Sequence, residues 1–175
     1  MNKKIIFLVL LLNIFLLTSC SPGGSRTGML NKESDDKKAD ARLEQVIVAI
    51  QNQDKNALTA MFSKQALAEA KDFDGSMNYL FELFQGKVQS KKNDGLIVDE
   101  SDNYGHSKKE VKSFYIVETD KQKYLFFLLE YTTNTDQSDN VGLYSLRVIK
   151  AEDENTQYSS WQKMKIAGIY KPKQE

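Results

Sequence analysis

Two charged residues lie where apolar residues are expected, and they are the first candidates for chemistry. Glu130 lies within the apolar run 124–131, and Arg147 lies within the apolar run 143–150. A carboxylate can act as a general base, and a guanidinium can hold an anionic ligand. A structural ion pair is the commoner reason for such residues. We take Glu130 and Arg147 as candidate ligand-binding residues, together with Tyr144 on the same predicted strand as Arg147.

Other residue types that perform catalysis or bind metals are scarce. His106 is the only histidine, and its position beside Gly105 in a polar stretch indicates a solvated loop residue. The chain has one cysteine, and its carboxylates show no paired metal-ligand spacing. The glycines form no phosphate-binding pattern. The sequence therefore predicts no catalytic residue, no metal site and no cofactor.

The balance of charges excludes one class of partner. The chain has 24 basic and 24 acidic residues, and removing Lys3 and Lys4 leaves 22 against 24, a net charge near −2. A nucleic-acid-binding protein needs an excess of Lys and Arg to neutralise phosphates. We therefore expect no nucleic-acid partner. The length of 175 residues fits one hydrophobic core.

The N-terminal region predicts export and a lipid anchor. A basic start precedes the apolar run 5–17, which is shorter than the roughly 20 residues of a membrane span. The run ends in Leu17-Thr18-Ser19-Cys20, which resembles the cleavage box of bacterial lipoproteins, with a free cysteine as the alternative. We predict that residues 1–19 are removed as a signal peptide and that Cys20 carries the lipid, on the extracytoplasmic face of the cell membrane. Residues 20–38 are predicted to form a flexible tether.

Apolar residues then recur at three- and four-residue spacing, which predicts helices. The first helix is expected from about Asp36 to Asn52, and the last from Met77 to Phe84. The candidate N-caps are Asp54, Ser63 and either Asp74 or Ser76. The predicted buried positions are Ala39, Leu43, Val46, Ile47, Ile50, Leu58, Met61, Phe62, Leu67, Ala70, Met77, Leu80, Phe81 and Phe84.

From about residue 87 the spacing becomes that of β-strands. Asn93-Asp94-Gly95 predicts a turn between Val88 and a short strand 96–98, and residues 99–106 predict an exposed loop. The run 124–131 is apolar on both faces, which predicts a central strand with helices on one side and a cavity or partner on the other. The remaining predicted strands are 109–119, 143–150 and a last region with Trp161, Met164, Ile166 and Ile169.

Helices followed by antiparallel strands predict an α+β fold, in a single domain that covers residues 39–173. Side chains alternate between the two faces of a strand. This alternation places Glu130 on the face of Phe126, and Arg147 on the face of Leu143. If the two faces coincide, Glu130 and Arg147 pair.

The chain also resembles known families. Residues 51–63 and the long strands that follow are similar to the nuclear transport factor 2-like (cystatin-like) superfamily. In that superfamily, N-terminal helices pack across a strongly curved antiparallel sheet and form a cone. Segments 79–86, 140–150 and 164–170 resemble the domain of unknown function 5104 family of Gram-positive lipoproteins. The resemblance covers about Ala39 to Pro172, and it implies a fold without an established activity.

Two classes of function are open at this point. The first, which we favour, is a membrane-tethered binding module whose cone, rim or sheet face holds a small ligand or an envelope protein. A homodimer through the sheet face is a further option. The second is a small extracytoplasmic enzyme, since enzymes of the resembled superfamily place an Asp, His or Tyr in the cavity for proton transfer. A buried, unpaired carboxylate or histidine in a deep cavity would favour the enzyme.

Overall fold

The computed structural model describes residues 26–157 and 165–172. Its helices are α1 Arg26–Gln51, α2 Lys55–Ala60, α3 Lys64–Glu69, α4 Phe73–Leu83 and the single turn α5 Glu154–Gln157. Its strands are β1 Val88–Asn103, β2 His106–Thr119, β3 Lys123–Asn134, β4 Gly142–Lys150 and β5 Gly168–Ile169. Short 3-10 helices lie at Ser138–Asn140 and Ala151–Asp153. These elements confirm the α+β fold class predicted from the sequence.

The helices α2, α3 and α4 each have a side-chain N-cap. Asp54 and Ser63 accept hydrogen bonds from the backbone amides three residues further on, at 2.9 and 3.1 Å, which confirms both predicted caps. The third cap is Asp72, which accepts the corresponding hydrogen bond at 3.0 Å, and the prediction of Asp74 or Ser76 is wrong. Because a cap satisfies one of the free amides of the first turn, Asp72 allows α4 to begin earlier than the apolar spacing indicated.

The first helix begins at Arg26, ahead of the predicted start at Asp36. Asp35 is buried on this helix, and its carboxylate lies 2.8 Å from Lys109 Nζ on β2. This ion pair connects the part of α1 around residue 35 to β2. Of the predicted tether, residues 26–38 lie within α1, and residues 20–25 lie outside the described residues.

The sheet has five strands in the part of the chain that the structure describes, in the order β1-β2-β3-β4-β5. The first four are antiparallel neighbours, and β5 pairs with β4 in parallel. Among the described strands the sheet is therefore mostly antiparallel, and β5 is its one parallel strand. Ile169 lies in β5, Ile166 precedes it, and Trp161 and Met164 lie outside the described residues.

β1 and β2 form one long hairpin, where the sequence predicted two short strands and a loop. Asn93-Asp94-Gly95 forms a β-bulge within β1 instead of a turn. Pairing then continues through the predicted loop 99–106, and the chain reverses at Tyr104 and Gly105, which both have positive φ. An Asn-Asp-Gly sequence suits a turn or a bulge equally, and the continuous pairing with β2 selects the bulge.

Apolar side chains are buried on both faces of the sheet. The larger cluster joins the helices to one face, and its members include Val46, Ile47, Leu58, Met77, Leu80, Phe81, Phe126, Leu128, Leu146 and Val148. The smaller cluster on the other face contains Phe127, Leu129 and Tyr131, with Phe114 and Tyr144 packed against it. Since β3 contributes to both clusters, the prediction of a central strand that is apolar on both faces is confirmed.

Candidate ligand-binding site

Glu130, the first candidate, faces the helices and pairs with Arg42 on α1. Its Oε1 accepts hydrogen bonds from Arg42 Nη2 at 2.5 Å and from Arg42 Nε at 3.1 Å. The side chains of Arg42 and Glu130 are only 25% and 16% exposed. Glu130 is therefore part of an ion pair that connects α1 to the central strand.

Arg147, the second candidate, is buried and held by the chain that follows β4. Its Nη1 donates a hydrogen bond to the carbonyl oxygen of Gln157 at 2.8 Å. The guanidinium carbon lies 3.8 Å from the centre of the Tyr170 ring, a distance at which cation–π attraction is effective. The Arg147 guanidinium therefore packs against one face of the Tyr170 ring.

Glu130 and Arg147 lie on opposite faces of the sheet and do not pair. Arg147 alternates with Leu146, whose side chain belongs to the helix-facing core, so Arg147 points away from the helices. Leu143 does not share the face of Arg147 as predicted, because it is buried in the helix-facing core. The register of β3 and β4 shifts between Leu129 and Glu130, which breaks the simple alternation from which the face was inferred.

Tyr144, the third candidate, lines an open pocket of about 700 Å³. The pocket lies between the corner that joins α3 to α4 and the segment 165–172. Its lining combines an apolar wall with charged and phenolic groups. The main contributors are Phe73, Ile169 and Pro172 on the apolar side and Glu69, Lys165 and Tyr170 on the polar side. This volume is in the range of small-molecule sites in proteins.

Tyr144 and Glu69 form a hydrogen bond at one side of the pocket. The Tyr144 hydroxyl donates to Glu69 Oε2 at 2.5 Å. Burial and the neighbouring Glu69 carboxylate raise the pKa of Tyr144 to about 12. In return, hydrogen bonds from Tyr144 and Gln65 lower the pKa of Glu69. The phenol therefore stays protonated and the carboxylate stays ionised at neutral pH.

Lys165 connects the pocket to the outer face of the sheet. Its Nζ donates to the Tyr131 hydroxyl at 2.6 Å and to Glu110 Oε2 at 3.1 Å. The same nitrogen lies 5.3 Å from the centre of the Tyr131 ring and 5.7 Å from the centre of the Tyr144 ring. Burial acts to lower the pKa of Lys165, but the hydrogen bonds to Tyr131 and Glu110 outweigh it and raise the pKa.

Glu110 on β2 is buried, and its carboxylate pairs with Lys165. Its Oε1 also lies 2.8 Å from Lys112 Nζ. Burial by itself would raise the pKa of Glu110, but hydrogen bonds with Lys112, Tyr131 and Lys165 together lower that pKa to about 2. Glu110 is therefore ionised throughout the physiological range and holds Lys165 in place.

The directions of these pKa shifts bear on the acid-base chemistry of the pocket. A general acid or base works best when its pKa lies near the operating pH. The pKa values of Tyr144 and Lys165 are shifted up and that of Glu69 is shifted down, so all three move away from neutrality. The pocket presents fixed charges and hydrogen-bond donors, which suits recognition of a ligand better than proton transfer.

Most residues of this site were missed by the analysis of the sequence. Of its polar members only Tyr144 was a candidate, and Glu69, Glu110, Tyr131 and Lys165 were not. Glu110 offered a signal, because it is a charged residue at the start of an apolar strand and between two lysines at positions 109 and 112. Glu69 and Lys165 offered none, since their role depends on contacts across 75 and 55 positions of sequence.

The remaining candidates lie away from the pocket. His106 is exposed at the start of β2, where its Nδ1 lies 2.5 Å from Asp136 Oδ1, and this hydrogen bond raises the pKa of His106. Among the described residues, no group of three or more His, Cys, Asp or Glu side chains could hold a metal ion. No helix within residues 26–157 and 165–172 is long and apolar enough to cross a membrane. Cys20 lies outside the described residues.

Comparison with protein families gives a match over most of the described chain. A family model described as a domain of unknown function (DUF5104) matches residues 45–151, from the second half of α1 to the end of β4. No curated protein matches the chain. The family description contains no activity, substrate or partner.

Proposed function

The chain belongs to the DUF5104 family, a domain of unknown function, and from that premise we propose that it is a lipid-anchored extracytoplasmic binding module. Its ligand is a small amphipathic molecule that enters the pocket beside Tyr144. An apolar or aromatic body of the ligand lies against Phe73 and Ile169. An anionic group of the ligand lies near Lys165 and Lys71, which both line the pocket.

The fixed orientation of the polar groups carries this proposal. The Tyr144 hydroxyl is held in place by Glu69, and Lys165 is held by Glu110 and Tyr131. Polar groups that are oriented before the ligand arrives lose little conformational entropy when it binds. Small-molecule sites typically combine an apolar wall with a few such groups.

The alternative of an enzyme with acid-base chemistry receives less support from the same groups. A tyrosine that acts as a base needs a lowered pKa, and the pKa of Tyr144 is raised to about 12. The carboxylates that would be candidates, Glu110 and Glu130, are each engaged by cationic side chains. A buried, unpaired carboxylate was the observation that would have favoured the enzyme.

We also propose that the domain has the cone of the nuclear transport factor 2-like (cystatin-like) superfamily and that it is a Gram-positive lipoprotein. Two observations support the cone. The helices cover one face of the sheet. The strand pairs β1–β2, β2–β3 and β3–β4 each contain a register shift, and bulges of this kind bend and twist a sheet.

A fluorescent aromatic anion, anilinonaphthalene sulfonate, tests the pocket directly. We expect the full-length chain to bind this dye saturably, with one site per chain. The variant Ala167→Phe should weaken binding by about tenfold or more, since a bulky side chain in the lining occupies the volume that the dye requires. Fluorescence titration and calorimetry measure both effects.

The control for this titration is Tyr104→Ala at the fully exposed tip of the β1–β2 hairpin. This variant removes an aromatic side chain far from the pocket and should bind the dye like the wild type. Thermal melts of all three proteins exclude dye binding to a loosened core. Equal dye affinity in Ala167→Phe and in the wild type would contradict the proposal.

A further inference from the structure

β1 is a long edge strand with exposed side chains. Over residues 88–103 it pairs with β2 along one side, and no described residue pairs with its other side. Most of its side chains are exposed to solvent. A free strand edge carries unpaired amide and carbonyl groups and can add a further strand.

The charges of β1 are separated along its length. Lys91 and Lys92 lie in the first half of the strand, and Asp99 and Glu100 lie in the second half. A strand with this pattern is complementary to itself when two copies run antiparallel, because the basic half of each meets the acidic half of the other. A parallel arrangement would set the lysines of the two copies against each other.

The bulge in β1 places these charges on matching faces. Lys91 contacts Glu44 on α1, and Glu100 lies beside Lys109, the partner of the helix residue Asp35. Lys91 and Glu100 therefore share the helix-facing side of the sheet, although their sequence separation is odd.

Asp99 pairs with Lys112 on the opposite face of the sheet, at 2.5 Å. Lys92 also points to that face, since it alternates with Lys91. The extra residue that makes this agreement possible is Asp94, which has no partner in β2 between Asn93 and Gly95.

We propose that β1 is the interface with a second copy of this chain. The two β1 strands pair antiparallel about a two-fold axis near Leu96. Lys91 of each copy lies opposite Glu100 of the other, and Lys92 lies opposite Asp99. The two-fold symmetry makes each contact twice and joins the two sheets into one continuous sheet.

Two observations favour this register and this surface over other arrangements. A shift by two residues in one direction sets Lys92 opposite Ser101, so that one charge pair per strand is lost. In the other direction it sets Lys91 opposite Val98 and Lys92 opposite Ile97, so that both pairs are lost. The sheet face offers less surface, because Phe127, Leu129 and Tyr131 are already buried there. The interface uses no residue of the pocket beside Tyr144, so it is independent of the proposed ligand.

Charge reversal tests the interface on the full-length chain in detergent. The wild type should have twice the mass of one chain by light scattering coupled to size-exclusion chromatography. The variants Lys91→Glu/Lys92→Glu and Asp99→Lys/Glu100→Lys should each have the mass of one chain, because like charges then face each other. A mixture of these two variants should recover the mass of a dimer, since the all-acidic strand of one complements the all-basic strand of the other.

A matched control reverses a pair of exposed charges elsewhere. Lys64→Glu/Asp139→Lys alters an ion pair in which both side chains are largely exposed, and the mass should remain that of a dimer. Hydrogen exchange needs no variant. The backbone amides of β1 should become more protected as the concentration of the wild type rises. A wild type with the mass of one chain, or reversal variants with the mass of the wild type, would overturn the proposal.

Discussion

Glu130 shows how a single polar residue in an apolar strand is accommodated. Its carboxylate receives two hydrogen bonds from one guanidinium, that of Arg42. Both hydrogen bonds end on Oε1, and a charge-assisted pair of this kind is stronger than a hydrogen bond between neutral groups. Glu130 therefore connects α1 to the central strand, and the proposed ligand pocket lies elsewhere.

Separating the Arg42–Glu130 pair should destabilise the domain. We expect Glu130→Gln and Arg42→Gln each to lower the free energy of unfolding by about 1–3 kcal/mol, because each leaves a partly buried charge without its partner. The double variant Arg42→Leu/Glu130→Leu should lose less free energy of unfolding than the sum of the losses of the two single variants, since no unpaired charge remains. Urea unfolding measures these differences.

The exposed pair Lys64–Asp139 provides the comparison for this prediction. Its side chains are 84% and 69% exposed, so Lys64→Ala should change stability by less than about 1 kcal/mol. Single variants at Arg42 and Glu130 that unfold at the urea concentration of the wild type would contradict a structural role for the pair.

At the scale of elements, the position of α4 depends on a single cap. Asp72 begins the helix, and the helix then carries Phe73 to the pocket wall and Met77 to the core. A later start, at Asp74 or Ser76, would remove Phe73 from the helix. The cap therefore determines which aromatic side chain lines the pocket.

Removing the cap should cost more than removing a neighbouring carboxylate. We expect Asp72→Ala to destabilise the domain by about 1 kcal/mol, because the first turn loses a hydrogen bond. Asp74→Ala should cost less, about 0.5 kcal/mol, since Asp74 acts only through the helix dipole. Asp72→Asn should retain most of the stability, because an amide oxygen also caps. Thermal unfolding ranks the stabilities of the three variants. A larger loss of stability in Asp74→Ala than in Asp72→Ala would refute the assignment of Asp72 as the cap.

At the scale of the whole molecule, the anchor and the domain lie close together in sequence. Cys20 is followed after a few residues by α1, which begins at Arg26. The tether predicted from composition extended to residue 38. If Cys20 carries the lipid, residues 21–25 separate the lipid from the start of α1.

The variant Cys20→Ala tests the anchor. We expect the protein to be released from membranes or to remain as an unprocessed precursor, because the Cys20 thiol is the predicted site of lipid attachment. Ser19→Ala keeps a small residue in the predicted cleavage box and should remain membrane-bound. Fractionation and gel migration measure both variants. A Cys20→Ala protein that fractionates and migrates like the wild type would show that the lipoprotein prediction is wrong.

The sequence by itself determined the features that depend on local spacing. The buried face of α1, the caps Asp54 and Ser63, and the central position of β3 were all predicted correctly. Each follows from residues a few positions apart, because helix and strand periodicity and capping are local properties. The α+β class follows from the order of these elements.

Only the tertiary structure decided the features that depend on distant residues. The partner of Glu130 is 88 positions away, and no local pattern identifies it. The Asn93-Asp94-Gly95 segment became a bulge because β2 continues to pair past it. The pocket beside Tyr144 combines α3, α4, β4 and the segment 165–172, and no local pattern brings these together. Long-range packing therefore determined the site, whereas short-range chemistry determined the elements that carry it.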